Sequence, residues 1–110
     1  SDVCSSDLRN KRDIAREANN RGYRLLNADN SPERALPFFD YAAKLDLKYG
    51  MPRYNAAKCL IARNDIDGAL RYLEEIKQMG RAQRERLLAA RTDPAFESLQ
   101  TDPRFSALFE

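Results

Sequence analysis

Tyr54 to Lys77, Y-N-A-A-K-C-L-I-A-R-N-D-I-D-G-A-L-R-Y-L-E-E-I-K, is the stretch whose reading decides the fold. Ala56, Ala57, Leu60 and Ile61 recur at helical spacing, Asn64-Asp65 interrupts them, and Ile66, Ala69, Leu70, Leu73 and Ile76 resume the same period. The stretch therefore reads as two amphipathic helices folded back on each other across a tight polar turn. Small residues at Ala56, Ala57 and Ala69 let the backbones approach closely, because a large side chain at such a contact forces the axes apart. Asp65 or Asp67 is placed to cap the second helix, and Gly80 to end it in a left-handed conformation.

Sliding the chain against itself by 34 residues, without gaps, lays Leu26 on Leu60, Ala28 on Ala62, Asn30 on Asn64, Ala35 on Ala69 and Leu36 on Leu70. Phe38 meets Tyr72, Phe39 meets Leu73, and Asp40 meets Glu74. In this period the chain resembles the tetratricopeptide repeat over roughly residues 13–91, a family whose unit is a helix, a turn and a second helix. The family's alanine matches Ala35 and Ala69, and its later aromatic matches Phe39 and is replaced by Leu73. Its tryptophan is absent, Asn19 and Arg53 standing there. Its glycine becomes Tyr23 and Ala57, or Gly22 if the first turn carries a one-residue insertion. The resemblance implies an all-α fold, a right-handed array of antiparallel helix hairpins with about two and a half repeats and capping helices behind them.

Working outward, repeat one is expected over 13–48, repeat two over 51–79, a further helix over 81–91 and a tail over 92–110, all in one domain of residues 9–110. From Asn10 to Leu26, Ile14, Ala15, Ala18, Gly22, Leu25 and Leu26 form one apolar stripe ringed by Lys11, Arg12, Arg16, Arg21 and Arg24. Ser31 is the expected cap of the next helix, with Pro32 at its first position. Pro37, in the second turn, has to give up one backbone bond or kink the helix. Ala35, Leu36, Phe39, Ala42, Ala43 and Leu47 are its expected buried face, broadened by Phe38 and Leu45, with Gly50 as its end and Pro52 restarting the chain.

The tail carries a shorter repetition. Thr92-Asp93-Pro94-Ala95-Phe96-Glu97-Ser98-Leu99 is followed nine residues on by Thr101-Asp102-Pro103-Arg104-Phe105-Ser106-Ala107-Leu108. In each copy Asp caps, Pro takes the first helical position, and Phe with Leu three later makes one apolar face. This D-P-x-F doublet resembles the end-of-array segment of bacterial tetratricopeptide proteins. A stacked array needs an atypical terminal unit to cover its last hydrophobic face; the alternative is a phenylalanine-bearing docking peptide for a partner.

Residues 1–8, S-D-V-C-S-S-D-L, have no apolar period and resemble a translated sequencing adapter, a non-native leader that leaves the native N-terminus missing. The other reading is an ordinary leader with Asp7 capping the first helix. Without the leader the formal charge moves from +2 to +4, too mild to point to nucleic acid by itself. Cys4 then carries no chemistry, and Cys59, alone on an apolar helix side with no histidine anywhere in the chain, reads as a core residue. A hydrophobic share of 43% with 33% charged residues suits a small helical domain, and no apolar run approaches the length of a membrane helix, so membrane insertion is not expected. Nothing reads as a signal peptide; the compartment stays open, with the cytoplasm favoured.

No histidine, phosphate loop, metal-spaced cluster or serine in a nucleophile setting supports catalysis, and no cofactor or metal is expected. With the opening helices facing a concave groove, the residues toward a ligand are Asn20, Arg24 and Asn27 in repeat one and Tyr54, Lys58 and Ile61 in repeat two. Arg84, Leu88 and Arg91 follow in the third helix. Asparagines bond an extended backbone while Arg and Lys attract carboxylates, so the expected partner is a protein or peptide, acidic or with a free C-terminal carboxylate. The lysine and asparagine clamp of some family members is not carried over, since Asn20 and Arg24 stand in its place. A merely solvated polar face, the C-terminal part of a larger enzyme or regulator, and a helical-repeat RNA binder are the alternatives; Tyr54 is the single aromatic among the groove residues, which weighs against RNA.

Overall fold

Ala15 and Ala18 on one face, with charged residues around them, give the first segment a helix that can lie flush on a neighbour. In a computed structural model, which describes the backbone of residues 3–110 and the side chains from Asn10 onward, this helix, α1, runs Val3–Asn27. It starts upstream of the expected Asn10, so Asp7 lies within the helix and does not cap it. Of the segment read as a leader, Ser1, Asp2 and the Cys4 side chain lie outside the described residues. Then come α2 (Pro32–Leu45), α3 (Met51–Ala62), α4 (Ile66–Gln78), α5 (Arg84–Ala89) and α6 (Pro103–Ala107), with 3-10 turns at Gly80–Gln83 and Pro94–Leu99. The described residues contain no strand, and the fold is all-α.

Each of the first four helices packs chiefly on its chain neighbours, and α1 also touches α3. The connections between these four are only three to five residues long, so helices that pack together across them must reverse direction. The result is an elongated slab of 53 × 33 × 19 Å. One main core gathers Phe39 of α2, Ala56, Ala57 and Cys59 of α3, and Ala69, Leu73 and Ile76 of α4 with Phe96, Leu99, Phe105 and Leu108 of the tail. A second, smaller cluster joins Ala15 and Ala18 of α1 to Ala42 of α2, three methyl-sized residues where the two backbones come close.

The helix ends follow local chemistry. Asp65 Oδ1 accepts from the Gly68 amide at 2.9 Å and caps α4, while Asp67 sits in the first turn, and Gly80 closes the helix at φ +82°. Asp93 and Asp102 accept from the amides of Ala95 and Arg104, both at 2.9 Å, each ahead of a proline. Phe96, Leu99, Phe105 and Leu108 are all buried, so both copies of D-P-x-F turn the same face inward. The first forms a 3-10 turn and the second a short α-helix.

Other expectations are corrected. Leu47 is 70% exposed, because α2 ends at Leu45 where Asp46 turns extended and its carboxylate accepts from the Lys48 amide. Gly50 does not end α2; it precedes α3 in ordinary right-handed geometry, and a Cβ there would come within 2.3 Å of Gln83 Oε1. Ile14 leaves the apolar stripe, 43% exposed. Ser31 sits at the cap position of α2 but bonds the Asp29 carbonyl with its hydroxyl and accepts no helix amide. The helix expected over 81–91 is a 3-10 turn followed by a short α5. Pro37 is carried inside α2 on its exposed side, where water can satisfy the carbonyl it leaves free.

Of the neighbouring positions 22 and 23 in α1, it is Gly22 that faces the core. A Cβ on Gly22 would lie 2.7 Å from Phe39 Cε1, whereas Tyr23 is 52% exposed. Phe39 is fully buried and has nowhere to withdraw. Gly22→Ala should therefore lose stability, roughly 1 to 2 kcal/mol after the helix-propensity gain of alanine is set against the overpacking. Tyr23→Ala should leave the midpoint of thermal unfolding nearly unchanged. Equal melting of the parent and Gly22→Ala would mean that this contact is absent.

Candidate functional site

α3 is buried over almost its whole circumference, and Arg53, Tyr54 and Asn55 lie in its first half. A buried polar group without a partner is costly, so each of the three reaches a different neighbour. Arg53 donates to the carbonyls of Ala43 and Tyr49 at 3.3 and 3.1 Å, taking up the loose end of α2, and to Glu75 Oε1 of α4 at 3.0 Å. Asn55 donates to Asn19 Oδ1 of α1 at 3.1 Å, both side chains being buried. Tyr54 donates to Asp93 Oδ2 of the tail at 2.6 Å. No buried side-chain nitrogen or oxygen among the described residues lacks a partner.

Two of the expected groove residues, Tyr54 and Lys58, meet here around Asp93 and Phe96 of the tail. Lys58 Nζ lies 3.5 Å from the same Asp93 oxygen and 5.3 Å from the Tyr54 ring centroid, and Phe96 meets Tyr54 edge to face at 5.3 Å. Burial alone would raise the Asp93 pKa, but the Tyr54 hydroxyl, the Ala95 amide and the Lys58 ammonium outweigh it and hold the carboxyl below its ordinary value. Burial and the same carboxylate push the Tyr54 hydroxyl well up. Thus an acidic side chain with an aromatic beside it already sits on this face of α3, and it belongs to the chain itself.

The remaining groove residues are spread over separate surfaces. Asn20 and Arg24 are exposed on α1, and Asn27 donates its side-chain amide back to the Tyr23 carbonyl at 3.0 Å. Arg24 lines a cleft of about 310 Å³ between α1 and α2 with Arg21, Leu25, Arg34 and Phe38. Ile61 is half-buried against the main core. Arg84 lines a cavity beyond the end of α4, and Arg91 stands 5.5 Å over the Phe109 ring, with Leu88 lining both adjoining hollows. Arg34, Phe38 and Asp93 were not among the expected site residues. Asp93 announces itself in the sequence only as a cap, and Arg34 as the opening of α2.

No group of three metal-ligating side chains occurs among the described residues. Burial, aided by the nearby Asp40 carboxylate, pushes the Cys59 thiol up to about 12, so it stays protonated at neutral pH and is a poor nucleophile. Tyr72 of α4 donates to Asp40 of α2, and its hydroxyl is likewise held protonated by burial and that carboxylate. Searches against family models, curated proteins and solved structures find no match for the chain.

The sign of the Asp93 contribution follows from its depressed pKa. Its stabilisation is complete above the ordinary carboxylate value and is lost as pH falls through the lower value of the folded chain. In urea titrations Asp93→Asn should be less stable than the parent near neutral pH, by about 1 to 2 kcal/mol. That gap should close as the pH is lowered past about 4. A gap that stayed constant with pH would show that the Asp93 charge contributes nothing.

Proposed function

We propose that the chain is a tetratricopeptide-like array of helix hairpins, closed by its tail, that serves as a non-catalytic protein-interaction module for acidic segments. The succession of packed antiparallel helices supports the array reading, as do the contact of α1 with α3 and the small-on-large pairing of Gly22 with Phe39. The interaction reading rests on the α1–α2 cleft. There Arg24 and Arg34 stand beside Leu25 and Phe38, and neither has a carboxylate within ion-pair distance among the described residues. Arg21 alone of the three arginines is engaged, with Glu17 at 3.2 Å. A guanidinium pair next to a half-buried aromatic suits a carboxylate-bearing segment with an apolar side chain, since arginine binds carboxylates in a planar fork.

Of the groove residues read from sequence, Arg24 carries this proposal, and Tyr54 and Lys58 belong to the tail contact. Lys58→Glu would set a negative charge against Asp93, so it is a stability variant and not a clean binding variant.

A fluorescein-labelled Asp/Glu-rich peptide with one phenylalanine should bind with an affinity that falls as salt rises. Arg24→Glu combined with Arg34→Glu should weaken it at least tenfold, about 1.4 kcal/mol, with helical content and melting preserved. Unchanged affinity in that variant, read by fluorescence anisotropy, would remove the cleft as the binding site.

A further inference from the structure

At the opposite end of the slab, the left-handed turn at Gly80 swings the chain away from α4 and leaves a cavity of about 210 Å³ between α4, α5 and the last residues of the tail. Its walls divide by chemistry. Ile76, Leu87 and Leu108 are buried and give it an apolar floor, with Leu88 and Phe109 half-buried at its sides. Its mouth carries Lys77, Arg81 and Arg84, all exposed.

The Lys77 ammonium donates to the Ala107 carbonyl at 3.3 Å. Neither Arg81 nor Arg84 has a carboxylate within ion-pair distance among the described residues. Glu110 is the one acidic residue on the wall, so the cations at the mouth are in excess. An apolar floor under unpaired guanidinium groups is complementary to a molecule with one anionic end and a short hydrocarbon body. Water satisfies the mouth but not the floor.

We propose that this cavity binds a small amphipathic carboxylic acid, with the carboxylate between Arg81 and Arg84 and the hydrocarbon against Ile76, Leu87 and Leu108. The volume equals the share of roughly seven water molecules, which limits the ligand to on the order of ten non-hydrogen atoms. The site is separate from the Arg24–Arg34 cleft and does not depend on peptide binding there.

Octanoate is the probe, and its neutral analogue octanamide is the control. Methyl resonances of Ile76, Leu87, Leu88 and Leu108 should shift saturably with octanoate, with a dissociation constant near or below about 1 mM. Octanamide should bind at least tenfold more weakly. Arg81→Ala and Arg84→Ala, both at exposed positions, should each weaken octanoate toward the level of the amide without lowering the melting midpoint. Arg24→Glu with Arg34→Glu should leave octanoate binding unchanged. Equal binding of acid and amide, or undiminished octanoate binding in both arginine variants, would overturn the proposal. So would the absence of saturation by about 10 mM.

Discussion

The burial of α3 is the constraint on which the rest of the structure depends. A helix with solvent on one side can leave its polar residues there, but α3 has neighbours on nearly every side. Three consecutive residues, Arg53, Tyr54 and Asn55, are splayed by the helical rotation of about 100° per residue toward different elements. Each must be satisfied where it points, and the three partners lie on the α2 terminus with α4, on the tail, and on α1. The hydrogen bonds are individually modest, yet leaving any one unmade would strand a buried polar group at a cost of about 1 to 3 kcal/mol. This asymmetry fixes the order and register of the neighbours more sharply than apolar contact alone, which tolerates sliding among residues of similar size.

The same burial bears on binding. Tyr54 and Lys58 occupy helical positions that would face a groove, but Asp93 and Phe96 already fill the space over them. The tail supplies what a bound acidic and aromatic segment would supply, and its tethering gives it a high effective concentration against any outside competitor. Phe96 and Leu99 are fully buried in the main core, so the segment is a structural cap and not a loosely held lid. Arg24 and Arg34 on the first hairpin, and Arg81 and Arg84 beyond the last long helix, line clefts elsewhere and have no carboxylate within ion-pair distance among the described residues.

What was legible in the sequence was what local chemistry controls. The polar turn at Asn64-Asp65, the cap at Asp65, the left-handed Gly80 and both Asp-Pro starts are decided within four or five residues of chain, and so were the inward faces of Phe39 and Leu73. Periodicity failed where a stop signal sat inside the pattern. Leu47 continues the apolar spacing of α2, but Asp46 had already turned the backbone. Gly50 looked like a helix end because glycine often is one, although here its lack of a side chain makes room for Gln83. Partnerships such as Asn55 with Asn19 and Tyr54 with Asp93 span 36 and 39 residues, and no local rule relates such positions. The site suffered for that reason: its residues were chosen by spacing along single helices, while exposure and pairing are set between helices.

The two D-P-x-F copies separate these influences within one chain. Both present the same cap, with an aspartate oxygen accepting from the amide two residues on at 2.9 Å, so the local motif dictates the local geometry. Their carboxylates then diverge. Asp93 is drawn under Tyr54 and Lys58, where burial works against its charge and hydrogen bonds restore it. Asp102 is held below its ordinary pKa by the Arg104 guanidinium, which also bonds Asp67 at the start of α4 at 2.7 Å. One aspartate thus ties the tail to the buried helix and the other helps clamp it on the surface, and the difference comes from what each copy packs against. The first must satisfy the Tyr54 hydroxyl among the packed helices, so it carries the specificity of the tail contact; the second, pairing in solvent, adds mainly the apolar area of Phe105 and Leu108.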